Sequence, residues 1–258
     1  MRLMKRILSA AAVLALSASL LVGCSSDTAS SVPVSASSAA ESTVSSVEET
    51  ASSAVDENEA AAAQLLNDLT GSYQELWPVI LADEYKQTWL DDCTALVGEE
   101  NAEAAFEKLS SMVTSDVYGE DAVEAYANGG GAYFCGFTNS LATLTFDGET
   151  STISGTDKDG NVLFSHTYHY IGMEPVRGLY EFQSDDADSG EFTYFFLAPD
   201  TSAETYHIEF RYGSDAEALS QYDTGEYAYW LASGISTDCD QTMIDNCIEL
   251  FCTENLAG

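Results

Sequence analysis

Between residues 133 and 210, apolar and polar side chains alternate with a period of two, and short turn sequences separate the alternating runs. Such alternation predicts β-strands that bury one face, because successive side chains of a strand point to opposite sides. Asp147-Gly148 and residues 157–160 (Asp-Lys-Asp-Gly) predict tight hairpins. The predicted strands are residues 141–146, 151–156, 162–170, 178–183, 191–198 and 206–211. Six or more short strands at this spacing favour an up-and-down antiparallel sheet closed into a barrel.

Apolar residues at helical spacing occur on both sides of the strand region. Before it, residues 57–81 read as helix until Pro78 interferes, and residues 102–112 form a second amphipathic helix. After it, residues 215–220 and 241–251 read as closing helices. The predicted fold class is therefore α+β, mainly β: an antiparallel barrel with flanking helices.

The first 23 residues have the pattern of an export signal. Arg2, Lys5 and Arg6 precede a mostly apolar run of 16 residues, 7–22, which is short for a membrane span of roughly 20 residues. The run ends in Leu-Val-Gly-Cys, which resembles the lipobox of bacterial lipoproteins. The resemblance implies cleavage before Cys24, lipid on Cys24, and a protein anchored to the outer face of a cell membrane.

Residues 24–58 form a segment rich in Ser, Ala and Glu, without aromatic residues. Such a segment cannot bury enough apolar surface to order itself, so we expect a flexible tether ahead of a single domain at 59–258. Without the signal peptide, 43 acidic residues stand against five basic ones. A field this negative excludes nucleic acid as an expected partner; it serves solubility or concentrates cations.

Several segments of the domain resemble the ZinT family, zinc-binding lipocalin-like proteins that also form the C-terminal domain of AdcA-type zinc lipoproteins. The similar segments, in order, are residues 71–80 (GSYQELWPVI), 167–172, 176–181, Ala198-Pro199, 206–208 and 227–230. The resemblance implies a lipocalin- or calycin-like barrel. It also implies that the protein captures zinc or a similar divalent ion and passes it to a metal importer.

The zinc ligands of that family are only partly matched. The family uses a histidine three residues before the Ala-Pro pair and an H-x-H pair on the next strand, and the matching positions here are Phe195, Thr205 and His207. His207 alone retains a nitrogen ligand. The further candidate ligands are Glu209, Glu204, His166 and His169. His166 and His169 are three positions apart, so on a regular strand at most one of them points inward with His207. The alternative is that His207 is a hydrogen-bonded barrel residue and the other two histidines lie at the surface.

Two further questions concern the cysteines and the type of function. Cys93, Cys135, Cys239, Cys247 and Cys252 remain besides Cys24. An exported location permits disulfides, and Cys93–Cys135 or a pair with Cys239 is expected, with at least one thiol left over.

No catalytic motif is evident, so an enzyme is not expected. The alternative to metal binding is a module for a non-metal ligand or a partner protein, with an aromatic pocket lined by Tyr194, Phe195, Phe196 and Tyr206; a purely structural role also stays open.

Overall fold

The computed structural model describes residues 57–199 and 207–257. The predicted signal peptide, Cys24 and nearly all of the tether, as well as Glu204, Thr205 and Tyr206, lie outside the described residues. Within the described part, no helix combines the length and the apolar character that crossing a membrane requires.

Eight antiparallel strands close into a barrel in simple chain order, with the last strand paired to the first. The strands are β1 Gly71–Glu75, β2 Thr143–Asp147, β3 Thr152–Thr156, β4 Val162–Met173, β5 Tyr180–Ser184, β6 Tyr194–Leu197, β7 His207–Gly213 and β8 Ala232–Ser236. The helices are α1 (57–68), α2 Leu76–Ile80, α3 Lys86–Val97, α4 Ala102–Ser111, α5 Glu120–Ala127, α6 Ala216–Leu219 and α7 Gln241–Leu256. The prediction of a mainly β fold with a closed antiparallel barrel and flanking helices is confirmed.

The prediction of helix across residues 71–75 is wrong, because this segment is strand β1. Helix α1 ends at residue 68, and Gly71 takes a backbone φ of 145° that favours glycine. The following residues pair with β2 on one side and β8 on the other, and Tyr73 turns its ring into the barrel. Pairing with two neighbouring strands stabilises the extended conformation of this segment. The helical spacing of its apolar residues extends for only a few positions and is too short to favour a helix.

The barrel interior forms the first of two cores. It is filled by aromatic side chains from most strands, among them Tyr73, Phe146, Phe164, Tyr168, Phe182, Phe195, Phe210 and Tyr212. Leu65, Leu66 and Leu69, in and just after α1, belong to the same core and are at most 7 % exposed. The first helix of the domain therefore packs into the barrel interior as part of its core.

The second core lies between the outer face of the barrel and the helices. Trp77 of α2, Trp89 of α3, Leu109 of α4 and Ile248 of α7 pack here with Ile235, which projects outward from β8. Strand β8 is buried along its whole length because it contacts the first core on one side and these helices on the other. This layer sets the position of α7 beside β7.

Candidate functional site

A small cavity lies on the outside of the barrel between β7 and helix α7. Its volume is about 40 Å³, and its walls combine polar and apolar side chains. The lining residues are Leu76, Trp77 and Ile80 of α2, His207 and Glu209 of β7, and Cys247, Leu250, Phe251 and Glu254 of α7. Imidazole, carboxylate and thiol groups thus share one cavity, which we call the β7–α7 groove.

Strand alternation explains why His207 and Glu209 share this groove. Ile208, Phe210 and Tyr212 point into the barrel and belong to its core, so the intervening residues of β7 point outward. The cross-strand partner of His207 is Ile235, which lies in the second core. The outward face of β7 is therefore the face that α7 covers.

Burial shapes the chemistry of the thiols near the groove. It raises the pKa of Cys247 to about 12, with smaller effects from neighbouring Cys239 and Glu209. It also raises the pKa of Cys135 to about 12, and Glu209 again adds to the rise. Both thiols are protonated at neutral pH, so a metal ion could use Cys247 only by displacing its proton. Sequence reasoning missed Cys247 and Glu254 as site residues, because only the packing of α7 brings them to β7.

His166 and His169 lie elsewhere, on β4, and each is bound to an aspartate. The Nδ1 atom of His166 is 2.7 Å from Asp186 Oδ2, and the Nδ1 atom of His169 is 2.6 Å from Asp185 Oδ1. His166 shares its face of the strand with the buried Phe164, whereas His169 is on the opposite, exposed face. The two histidines do face opposite ways, as predicted. Two strands separate β4 from β7 in the sheet, and neither histidine lines the β7–α7 groove.

Phe195 and His207 lie on opposite sides of the barrel wall. Phe195 pairs with Tyr212 across the β6–β7 ladder, and both rings point inward with no exposed surface. The position that matches the first family histidine therefore faces the interior, while His207 faces α7. Side chains on opposite sides of the barrel wall cannot bind the same ion. The positions matched from the sequence therefore do not reproduce the three-histidine site of the family.

Two residues of the predicted aromatic pocket, Phe195 and Phe196, are fully buried. The centre of the Phe195 ring is 5.3 Å from that of Tyr212 and 6.4 Å from that of Phe210. Around Phe195 the barrel interior is therefore filled by packed side chains. Tyr206, the fourth predicted member of the pocket, lies outside the described residues.

The described residues contain no group of three or more His, Cys, Asp or Glu side chains already arranged to hold a metal ion. The donors of the β7–α7 groove line a common cavity, but they would have to turn toward one another to share an ion. Both Glu209 and Glu254 are exposed.

The cysteine pairs predicted from the sequence are not formed, and all five cysteines of the described part are free. Cys93 on α3 instead has its sulfur 3.9 Å from that of Cys252 on α7. Cys135 lies against strand β8, where its carbonyl accepts a hydrogen bond from the Ser233 amide. The prediction of Cys93–Cys135 is wrong because α3 packs its cysteine against α7 rather than against this strand.

Two solved structures are similar to this chain. One is the Zn(II)-bound ZinT-like domain of Streptococcus pneumoniae AdcA, with a TM-score of 0.45 and 15 % identity, covering 71 % of this chain and 89 % of that domain. The other is Zn(II)-bound AdcA from Streptococcus pneumoniae, with a TM-score of 0.42 and 14 % identity, covering 72 % of this chain. The chain spans about a third of AdcA, since the match covers 35 % of it.

No model of a known protein family matches the sequence. No curated protein matches it either. The similarity to the two solved structures concerns the fold alone, so any function has to be argued from the side chains of this chain.

Proposed function

We propose that the protein is a lipid-anchored, metal-binding protein of the cell envelope that captures zinc or a similar divalent ion in the β7–α7 groove. The observation that carries the proposal is the shared cavity, which is lined by His207 and Glu209 of one strand and by Cys247 and Glu254 of one helix. Passing the ion to a metal importer is the role that follows for a capture protein held at the membrane. The ion is the cargo of the protein in this proposal.

The donor types suit a borderline ion better than a hard one. Zinc is bound in proteins by imidazole, carboxylate and thiolate groups, and the imidazole and the thiol of the groove favour zinc over magnesium or calcium. A cavity of about 40 Å³ has room for an ion with a bound water, since one water occupies roughly 10–15 Å³ of such a cavity. Glu204, which precedes β7, is a further proposed ligand.

The rest of the chain supports a cation-capturing role at the membrane. The acidic residues of the mature chain exceed its basic ones by far, and such a field raises the local concentration of cations. Lipid on Cys24 and the tether that follows would hold the domain near the outer face of the membrane, within reach of an importer.

The test is calorimetric titration of the chain beginning at residue 25 with zinc. We expect one bound ion, and we expect His207→Ala to weaken binding at least about 100-fold, because even second-shell losses cost 10–100-fold. His169→Ala is the matched control: it removes a histidine that lies outside the groove, and its affinity should equal that of the unmodified chain. Near-ultraviolet circular dichroism checks that both variants are folded.

The pH dependence provides a second criterion. Neutral imidazole binds metal and the protonated ring does not, so affinity should fall between pH 7.5 and pH 5.5, across the usual histidine range near ~6.5. Zinc binding that survives the loss of His207 would place the ion elsewhere. An absence of binding in every variant would refute the proposed function.

A further inference from the structure

Cys93 and Cys252 form a buried pair of thiols between two helices. The two sulfur atoms are 3.9 Å apart, although the residues are separated by 159 positions in the chain. Both side chains are 0 % exposed and belong to the second core. The pair lies at the contact between α3 and the C-terminal half of α7.

We propose that Cys93 and Cys252 form a disulfide when the protein matures outside the cytoplasm, and that this bond fastens α7 to α3. Two thiols lose two protons and two electrons, and one S–S bond forms between them. The electrons pass to an external disulfide, either that of a thiol–disulfide oxidoreductase or that of a small molecule, which is reduced to two thiols. The proposal is independent of metal binding.

The geometry requires only a local adjustment. A disulfide has an S–S length of about 2.05 Å, so the two sulfur atoms must approach by about 1.9 Å. The two side chains already face each other across the helix contact. Cys135 and Cys247 lie near Glu209, and Cys239 lies near Cys247. Because the sulfur atoms of Cys93 and Cys252 are already in contact, we expect these two to pair and the other three to remain thiols.

Burial determines when the bond can form. Thiol–disulfide exchange needs a thiolate and access to the attacking sulfur. Burial raises the pKa of Cys93 and that of Cys252, and neither sulfur contacts solvent in the folded protein. The bond should therefore form while the chain folds, before α7 docks, and the folded reduced protein should react slowly with an external disulfide.

The bond would hold the last turns of α7. Cys252 lies in these turns, and helix ends fray unless they are tied down. Phe251 and Glu254, which line the β7–α7 groove, are its close neighbours in the sequence. The disulfide would thus also fix the position of the helix that forms one wall of that groove.

Peptide mapping of the exported full-length protein tests the proposal directly. The protein is extracted in detergent, alkylated in denaturant without reductant, and digested with trypsin and a glutamate-specific protease. These cuts release residues 87–99, which contain Cys93, and residues 250–254, which contain Cys252. We expect these two peptides to be linked, with Cys135, Cys239 and Cys247 alkylated. Alkylation of Cys93 and Cys252, or a link from either of them to another cysteine, would overturn the proposal.

Two further measurements examine its consequences. Reduction should lower the melting temperature of the protein by about 5–15 °C, because the bond closes a loop of more than a hundred residues. Cys93→Ala should abolish the response to reductant, whereas Cys239→Ala should retain it. When the unfolded, reduced protein refolds in a buffer of oxidised and reduced glutathione, the linked peptides should appear. The folded reduced protein in the same buffer should form the bond at least about tenfold more slowly. Equal rates would refute the proposal that the bond forms before α7 docks.

Discussion

Arg211 offers the sharpest test of the packing outside the barrel. It lies on β7, on the same outward face as His207, and it is 0 % exposed. Its guanidinium donates hydrogen bonds to the carbonyl oxygens of Leu219, Gln221 and Tyr227. It also lies 4.4 Å from the centre of the Tyr222 ring. The side chain thus holds residues 219–227 against the barrel, and Arg211→Met should release this segment.

The expected loss of stability follows from two opposing effects. Hydrogen bonds from a charged group contribute roughly 1.5–3 kcal/mol each, so three of them contribute about 5–9 kcal/mol. Burial lowers the pKa of Arg211 to about 10 from 12.5, which corresponds to a cost of about 3 kcal/mol for keeping the charge inside. Met avoids this cost but leaves three carbonyl groups without their donor. We expect the free energy of unfolding to fall by about 2–6 kcal/mol, the difference between these two effects.

Urea denaturation followed by tryptophan fluorescence measures this change. Arg177→Met is the matched control, because Arg177 lies 4.3 Å from the same Tyr222 ring but donates its recorded hydrogen bond to the Tyr133 hydroxyl rather than to carbonyl groups of the covering segment. The control should lose no more than about 1 kcal/mol, the usual value of a half-exposed cation–π contact. Equal losses in the two variants would refute the argument that the three carbonyl bonds hold residues 219–227.

Two other predictions concern the barrel end and alkaline pH. Gly148→Ala should lower stability by about 2–3 kcal/mol in the same urea assay, because the new Cβ would lie 2.4 Å from the Asn67 Cα of α1. Gly172→Ala is the control: its new Cβ would meet no atom within 4 Å, and stability should change by less than about 0.5 kcal/mol. Burial raises the pKa of Tyr126 and Tyr227 to about 12, so the stability they contribute is fully present below pH 10 and is lost as pH rises through 12. Absorbance of tyrosinate should therefore rise together with unfolding in this range, and full ionisation of a still folded protein would contradict the prediction.

Much of the barrel could be predicted from the sequence because strands β2 to β5 have one buried and one more exposed face. The alternation of side chains records this difference directly. Strand β8 could not be found in this way, since all five of its residues, Ala232–Ser236, are buried. A strand covered on both faces carries no alternation, and its small residues resemble those of a loop.

The candidate site was predictable only within single strands. Alternation correctly put His207 and Glu209 on one face and His166 and His169 on opposite faces. The expectation that His207 points into the barrel is wrong, because Ile208, Phe210 and Tyr212 fill the interior and the residues between them point outward toward α7. The approach of Cys247 and Glu254 to β7, and of Cys252 to Cys93, depends on how helices distant in the sequence pack together. No local pattern encodes such contacts.

The donors of the proposed metal site come from strand β7 and helix α7, which are held together by side-chain packing and not by the hydrogen bonds of the sheet. The register between β6, β7 and β8 fixes His207 and Glu209, whereas Cys247 and Glu254 are placed by the docking of α7. That docking depends on Phe251, whose ring is 4.7 Å from Trp77 of α2 and 6.0 Å from Trp89 of α3. The proposed Cys93–Cys252 bond would hold the next residue of the same helix. The aromatic contacts, the thiol pair and two of the proposed ligands lie within about two turns of α7. A change that loosens this end of the helix should therefore weaken stability and metal capture together, whereas a change inside the barrel at Phe195 should affect stability without altering the ligands.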